Sequence, residues 1–315
     1  MTGGVNMYFP YLRGRQFELI ALREMLEKNL IGEQVIPVIE PIKPSSTLRL
    51  TLRKFVDKEK RIAIVRNPQV GGFLDDYKEL DSTNELVTLM ENDWIIQTHI
   101  LNKNSEKEVR KLEEDGFILE NLTVINTEAD YLPTYHLLFN GSAPQYILIS
   151  DNTTIRRSIL SNRVLFENRF SSEDRNSDYK NRDILFSEDH LFFADESYKG
   201  FSDYSIVGKE FNESGFAPYA VAIHIVYFDE HEKLRVKSYV SDSNNDIRDP
   251  ANKYYEALGY LVNCPTIKSL HTVGLAEFRK HYQEGTYPGL GTVKKLSIMH
   301  HIEMMSRYLD RKQEI

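Results

Sequence analysis

Positively charged and amide side chains follow the first three segments of the chain that are predicted as strands. These candidate ligand-binding residues are Arg13, Arg15, Lys43, Arg66 and Asn67. A guanidinium group binds phosphate or carboxylate through two parallel hydrogen bonds. The pattern therefore indicates a site for a phosphate-bearing or otherwise anionic ligand. The alternative is structural, because Arg13 can instead pair with Glu40 at a neighbouring strand end and stabilise that edge.

Carboxylates and histidines supply a second set of candidates, for catalysis. This set consists of Glu40, Asp151, Asp203, His300 and His301. Glu40 can serve as a general base, a metal ligand or an ion-pair partner, and the three carboxylates together could hold Mg²⁺. No tight acidic motif sets their spacing, so no metal site is predicted. His300 and His301 are adjacent, and on a helix their side chains point about 100° apart, unlike a chelating i,i+4 pair.

Short catalytic and nucleotide-binding motifs do not occur in the sequence, which contains no HExxH, CxxC, GxSxG or Walker pattern and identifies no cofactor. The glycine-rich segment Pro288–Lys295 opens a helix and could cradle a phosphate near Lys294. Because it lacks P-loop spacing, the other interpretation is a turn with Thr292 as the helix N-cap. The single cysteine, Cys264, has no basic neighbours in the sequence and is predicted to be structural.

The elements that must position these residues alternate between short apolar strands and amphipathic helices. The predicted strands are Tyr8–Leu12, Val35–Ile42, Arg61–Val65, Trp94–Leu101, Leu122–Asn126 and Gln145–Ser150. The predicted helices between them are Phe17–Glu27, Ser45–Asp57, Asn84–Glu91 and Ser105–Asp115. Such alternation is typical of a parallel sheet covered by helices. No GxGxxG turn follows any strand, so an α/β fold of the closed (β/α)₈, TIM-barrel-like type is favoured over a Rossmann sheet. In that fold the strand carboxyl ends meet at one mouth, where active sites lie.

The second half of the chain departs from this regular alternation. Tyr204–Val207 and Val221–Phe228 are predicted to complete the barrel, and Tyr219–Asp242 also has the alternating pattern of a hairpin. Ser171–His190 is polar and charge-rich, which predicts an inserted or functional loop that is either mobile or held by polar contacts at the mouth. Predicted helices of the tail are Pro250–Val262, Val273–Glu284 and Thr292–Arg311. We therefore predict a single domain, 1–315, with the barrel at approximately 8–230 and a helical extension at 243–315.

Composition limits the class of protein. The 315 residues are 41% hydrophobic and 27% charged, which indicates a globular chain with ample material for a core. Apolar runs are much shorter than the roughly 20 residues that span a bilayer, and Met1–Met7 lacks the features of a secretion leader. The single cysteine permits no internal disulfide, so we expect a cytoplasmic protein. The net charge of −8 argues against extensive nucleic-acid binding, though not against a local basic site, and the short apolar runs predict no membrane association.

Several segments resemble the "beta family" proteins of bacteria and phage satellites. The family opens with a Tyr-x-Pro-x-Leu strand, a basic pair, a glutamate and Ala-Leu, and has a Pro-Leu-Ile-Glu strand one helix later. The corresponding segments here are Tyr8-Phe9-Pro10-Tyr11-Leu12, Arg13, Arg15, Glu18, Ala21-Leu22 and Ile36-Pro37-Val38-Ile39-Glu40. Phe201-Ser202-Asp203-Tyr204 is similar to a Gly-Asp-Tyr segment, with serine where glycine is usual, and Met299-His300-His301-Ile302 is similar to a His-His-Ile segment. The DPANK and YPGLGTVKK stretches are similar to a closer, uncharacterised branch.

This resemblance implies an α/β barrel and a link to toxin-like and anti-phage gene clusters, without an established catalytic mechanism. One expectation is a partner-binding or regulatory component of an anti-phage or toxin–antitoxin-like system, with a protein partner encoded nearby. The acidic charge suits a basic partner. The alternative is a barrel enzyme, hydrolase- or phosphodiesterase-like, that acts on a phosphorylated or other anionic ligand. Convergence of the strand-end cations in an open mouth would favour the enzyme.

Overall fold

The computed structural model describes residues 6–212 and 218–313. Residues 1–5, which are part of the segment examined for a secretion leader, lie outside this range. Within the described chain there are two compact units. The first unit comprises residues 6–19, 32–168 and 189–204, and the second comprises residues 20–31, 169–188, 205–212 and 218–313.

The first unit contains a closed barrel of parallel strands, which confirms the TIM-barrel-like α/β fold predicted from the sequence. The eight strands are β1 (Met7–Leu12), β2 (Val38–Ile39), β3 (Ile62–Val65), β4 (Ile95–Ile100), β5 (Thr123–Asn126), β6 (Tyr146–Ile149), β7 (Arg163–Glu167) and β9 (Gly200–Asp203). The intervening strand, β8 (Asp183–Ser187), belongs to the second unit.

Helices alternate with the barrel strands along the chain. They are α1 (Gln16–Glu27), α2 (Ser46–Asp57), α3 (Phe73–Lys78), α4 (Glu85–Met90), α5 (Ser105–Glu114), α6 (Leu132–Leu138), α7 (Thr153–Ser158) and α8 (Asp189–Phe192). Helix α2 begins as its sequence predicts, because the Ser45 hydroxyl accepts a hydrogen bond from the Leu48 backbone N–H at 3.2 Å. Its buried face includes Leu48, Leu52 and Phe55.

Alternate strand residues fill the inside of the barrel, as the two-residue period of a strand requires. The buried cluster they form is Met7, Phe9, Tyr11, Ile36, Val38, Ala63, Val65, Ile96, Ile125, Leu148, Val164, Phe166 and Tyr204. The barrel centre is therefore a packed core. The same alternation decides which residues near the strand ends face inward and which face the helices.

Strand β2 is much shorter than the predicted strand Val35–Ile42. Pro37 and Pro41 stand on either side of Val38–Ile39 and have no backbone N–H to donate to a neighbouring strand. The two remaining residues pair with both β1 and β3, so the short strand still completes the barrel wall.

The predicted closure of the barrel by Tyr204–Val207 and Val221–Phe228 is wrong. The barrel closes through β7 and β9, and β9 pairs in parallel with both β7 and β1. Gly200 makes this closure possible, because a Cβ atom at this position would lie 2.3 Å from the Met7 carbonyl oxygen. Most of Val221–Phe228 instead forms the first strand of a hairpin. The two strands of the hairpin run antiparallel because a short turn joins them.

The second unit contains this hairpin, β10 (Ala222–Phe228) and β11 (Leu234–Val240), in a three-stranded sheet of order β10-β11-β8. Its later helices are α9 (Pro250–Asn263), α10 (Pro265–Lys268), α11 (Val273–Glu284) and α12 (Leu290–Gln313). Helix α12 begins two residues before Thr292, so the N-cap predicted there is wrong. Among the described residues, no helix combines the length and the apolar character needed to cross a bilayer.

Ser171–His190 is not a loop throughout, because this stretch includes β8, which pairs antiparallel with β11. Its polar residues are ordered by specific partners as well as by burial. The Asp183 carboxylate accepts hydrogen bonds from the Tyr227 hydroxyl at 2.8 Å and from Arg235 Nε at 3.0 Å. Low apolar content alone was therefore not a sufficient criterion for mobility.

Candidate functional site

A buried carboxylate lies at the carboxyl end of β2, where active sites of such barrels are found. Glu40 has no solvent-exposed surface. Its Oε2 atom accepts a hydrogen bond from the Tyr11 hydroxyl at 2.6 Å and forms an ion pair with Arg13. Its Oε1 atom accepts a hydrogen bond from the Gln69 backbone N–H at 2.7 Å. Both oxygens of Glu40 are thus occupied by donors from β1, the turn that follows it, and the loop after β3.

Two tyrosine rings enclose the guanidinium group of Arg13. The Cζ atom lies 5.4 Å from the ring centroids of both Tyr11 and Tyr204, within the range of cation–π attraction. Only 11% of the Arg13 side chain is exposed. Burial raises the pKa of Tyr204 to about 12 and also raises the pKa of Tyr11, so both hydroxyls stay protonated at neutral pH. We call Tyr11, Arg13, Glu40 and Tyr204 the mouth network.

A left-handed turn at Gly14 separates the two arginines. Gly14 has φ +65°, and a Cβ atom there would lie 3.1–3.3 Å from Ile39, Glu40 and Pro41. The turn separates Arg13, which pairs with Glu40, from Arg15, whose backbone N–H donates to the Glu18 carboxylate at 3.2 Å. That contact satisfies a backbone donor at the start of α1.

Two of the segments that carry the family resemblance lie on the neighbouring strands β1 and β9. In the parallel β1–β9 pair, Phe9 is opposite Ser202, whose hydroxyl donates to the Phe9 carbonyl at 2.6 Å. Asp203 accepts a hydrogen bond from the Tyr8 hydroxyl at 3.0 Å. Burial, and to a smaller extent the charge of this carboxylate, raises the pKa of Tyr8. Tyr204, the next residue, packs on Arg13 in the mouth network.

The other predicted ligand-binding residues do not join this network. Arg66 lies over the rings of Tyr77 and Phe117, at 5.7 and 5.6 Å from the centroids. Val65 belongs to the barrel core, so the alternation of the strand turns Arg66 toward the helices.

Asn67 has a structural role at the end of β3, and Lys43 stands apart. The Asn67 amide accepts from the Ile100 backbone N–H at 2.8 Å and donates to the Ile100 carbonyl at 2.8 Å, which joins the ends of β3 and β4. The Asn67 amide also donates to Glu108 at 3.0 Å. Lys43 is exposed and forms no ion pair with any residue in the described ranges.

The remaining catalytic candidates are also placed separately. Asp151 is exposed after β6 and forms a 2.7 Å ion pair with Arg156. His300 and His301 lie on α12 in the second unit and are fully buried. The Thr272 hydroxyl lies 2.8 Å from His300 Nδ1, and His300 Nε2 lies 2.7 Å from the Val226 carbonyl, so both ring nitrogens are used.

Burial lowers the pKa of His300 to about 4, so this imidazole is neutral at physiological pH. His301 Nδ1 lies 2.9 Å from the Ser205 hydroxyl, and its ring packs edge-on against Phe186. These contacts connect α12 to other parts of the second unit. Both imidazoles are therefore buried within the second unit.

The pairing of Arg13 with Glu40 limits the chemistry that these two side chains can perform. Of the two interpretations of Arg13, the structure has the ion pair with Glu40, in which the positive and negative charges offset each other. Within residues 6–212 and 218–313, no three His, Cys, Asp or Glu side chains come together as a possible metal site. Glu40, Asp151 and Asp203 therefore do not form a joint Mg²⁺ site. Sequence reasoning did not identify Tyr11 and Tyr204 as members of the network, although both lie in the quoted family segments.

Comparison with known proteins gives no relative from which to transfer a role to these residues: the chain matches no family model, no curated protein and no solved structure.

Proposed function

We propose that the chain is a partner-binding or regulatory component of a bacterial anti-phage or toxin–antitoxin-like system, built on a barrel of the beta-family type. The observation that carries the proposal is the closed mouth network, in which Glu40 accepts from Tyr11, Arg13 and Gln69. A catalytic carboxylate must remain available to a reacting proton. Here its oxygens are held by the protein itself, so the barrel serves as a scaffold and the function lies at its surface.

The resemblance supplies the biological setting of this proposal. The Tyr-x-Pro-x-Leu, Ile-Glu and Asp-Tyr segments all contribute to the mouth network or to the strand pair beside it. These three segments supply residues that stabilise the barrel, which supports a scaffold role. The net charge of −8 suits a partner with a basic surface, because complementary potentials raise association rates and select partners.

Co-expression with the product of each neighbouring gene tests this proposal. We expect one of these products to co-purify with the chain in a complex of fixed stoichiometry, measured by size-exclusion chromatography with light scattering. The double variant Arg13→Met/Glu40→Gln should form the same complex. A chain that remains alone with every neighbouring product, under conditions in which both proteins are folded, overturns the proposal.

The second candidate function is an enzyme acting on a phosphorylated or other anionic ligand. It is favoured by the position of Arg13 at the carboxyl end of β1 with 11% of its side chain still exposed. Under this alternative an anionic group of the ligand would replace Glu40 as the partner of the Arg13 guanidinium. Phosphate should then stabilise the wild-type chain by mass action but leave Arg13→Met unaffected.

A further inference from the structure

Four large apolar side chains are exposed at the amino end of the barrel, the end opposite the mouth network. Trp94, Ile118, Leu137 and Leu160 are between 36% and 71% exposed. They lie at the carboxyl ends of α4, α5, α6 and α7 or in the segments that lead from these helices into β4, β5, β6 and β7. These four strands are consecutive in the barrel wall, and parallel strands all begin at one end of a barrel. We call the four side chains the apolar arc.

Contacts between neighbouring segments make the apolar arc one surface. His136 Nε2 lies 2.6 Å from the Ser158 hydroxyl, which joins the ends of α6 and α7. The Ser142 hydroxyl donates to the Glu120 carboxylate at 2.6 Å, which joins the segments before β6 and β5. A cleft of about 610 Å³ lies between the segments before β4 and β5 and is lined by residues of both. Single exposed apolar side chains are common on protein surfaces, whereas a group of neighbouring ones marks an interaction site.

The segments that hold the apolar arc have four carboxylates and neither lysine nor arginine. The carboxylates are Glu91, Asp93, Asp115 and Glu120, and the segments are 91–94, 115–122, 137–145 and 158–162. Arg61, which precedes β3, is the one cation among the described residues that line the cleft. Like charges oppose association, so this surface disfavours a second copy of the same chain, nucleic acid and an anionic membrane. The surface therefore fits a basic partner.

We propose that the apolar arc and the cleft beside it bind a protein partner whose own surface has an apolar centre surrounded by lysine or arginine, an assignment that rests on the partner-binding function proposed above. Protein interfaces combine an apolar, desolvated centre, in which Trp is enriched, with a polar rim. Here the apolar arc supplies the centre and the carboxylates supply the rim. The cleft is a concavity in which a protruding side chain of the partner can be buried. The mouth network lies at the other end of the barrel and takes no part in this contact.

The test uses as its probe the neighbouring-gene product that co-purifies with the wild-type chain. Leu137→Lys/Leu160→Lys removes two side chains of the apolar arc and places two positive charges opposite a basic partner. Both side chains are exposed, so this variant should fold, which circular dichroism checks. It should bind the product at least about tenfold more weakly than the wild type, measured by calorimetry. The control Leu50→Lys/Leu74→Lys, which changes two exposed leucines on α2 and α3, should bind like the wild type.

A second pair of variants tests the charge of the partner. Asp115→Asn/Glu120→Gln should slow association with the same product and reduce its dependence on salt, whereas the control Glu128→Gln/Asp130→Asn, on exposed carboxylates after β5, should change neither. Equal losses in the arc and control variants, or full binding by a folded Leu137→Lys/Leu160→Lys chain, would overturn the assignment of this surface but leave the partner-binding function in place. A wild-type chain that binds no neighbouring product would overturn both.

Discussion

Removing both charges of the mouth network together should cost much less stability than the two single losses added together. Glu40→Gln leaves the guanidinium of Arg13 enclosed between two tyrosine rings without a counter-charge, and Arg13→Met leaves the Glu40 carboxylate buried without a cation. Loss of one partner of a buried ion pair typically costs about 3 kcal/mol or more. The double variant leaves no unpaired charge, so its loss should be at least about 2 kcal/mol smaller than the sum of the single losses.

Urea unfolding at pH 7, followed by circular dichroism, measures these four free energies of unfolding. The ion pair between Arg110 and Glu106 on α5 is a matched control, since it has the same residue types but its side chains are 62% and 53% exposed. The single control variants Arg110→Met and Glu106→Gln should each lower the free energy of unfolding by no more than about 1 kcal/mol. Additive losses for Arg13→Met and Glu40→Gln, or losses no larger than those of the control pair, would refute the description of the network as a buried coupled pair.

Three further outcomes follow from the structure. Burial lowers the pKa of His300 from 6.5 to about 4, so the unfolded chain binds this proton at a higher pH than the folded chain does. The free energy of unfolding should therefore fall between pH 7 and pH 4, by about 3 kcal/mol in full. Urea unfolding should show a smaller pH dependence in His300→Gln and an unchanged one in His231→Gln, an exposed control. Phosphate and chloride at matched ionic strength should give the same melting temperature, whereas a phosphate-specific rise that Arg13→Met abolishes would favour the enzyme. Gly200→Ala should lower the free energy of unfolding by about 1–3 kcal/mol, because its Cβ atom would lie 2.3 Å from a β1 carbonyl oxygen. Gly72→Ala, with open space around the position, should lower it less in the same assay.

The barrel class was predictable because its strands are short, almost continuously apolar and separated by amphipathic helices. Ile62–Val65 and Tyr146–Ile149 are examples in which the apolar run and the strand nearly coincide. The pairing of Arg13 with Glu40 was also open to prediction, since both follow adjacent strands. Sequence patterns could not decide between this pair and a ligand site, because a guanidinium group suits either partner equally well.

The closing strands were less predictable because they depend on contacts distant in the sequence. Arg163–Glu167 contains charged residues at both ends, and Gly200–Asp203 has only one large apolar residue, yet both lie between other barrel strands. The position of Arg66 had no such sequence signal. Ile62–Val65 is apolar at every position, so only the structure shows that Val65 faces the core and that strand alternation places Arg66 on the helix side, away from the mouth.

The central claim is that the chain acts by binding a partner through a scaffold whose mouth network is structural. The most direct measurement is protection of host cells from phage, or relief of growth arrest by a neighbouring toxin-like gene, by the folded double variant Arg13→Met/Glu40→Gln. We predict the same protection as with the wild type and with the control Arg110→Met/Glu106→Gln. A folded double variant that loses protection while the control retains it, or a wild-type chain without effect in either assay, would contradict the account.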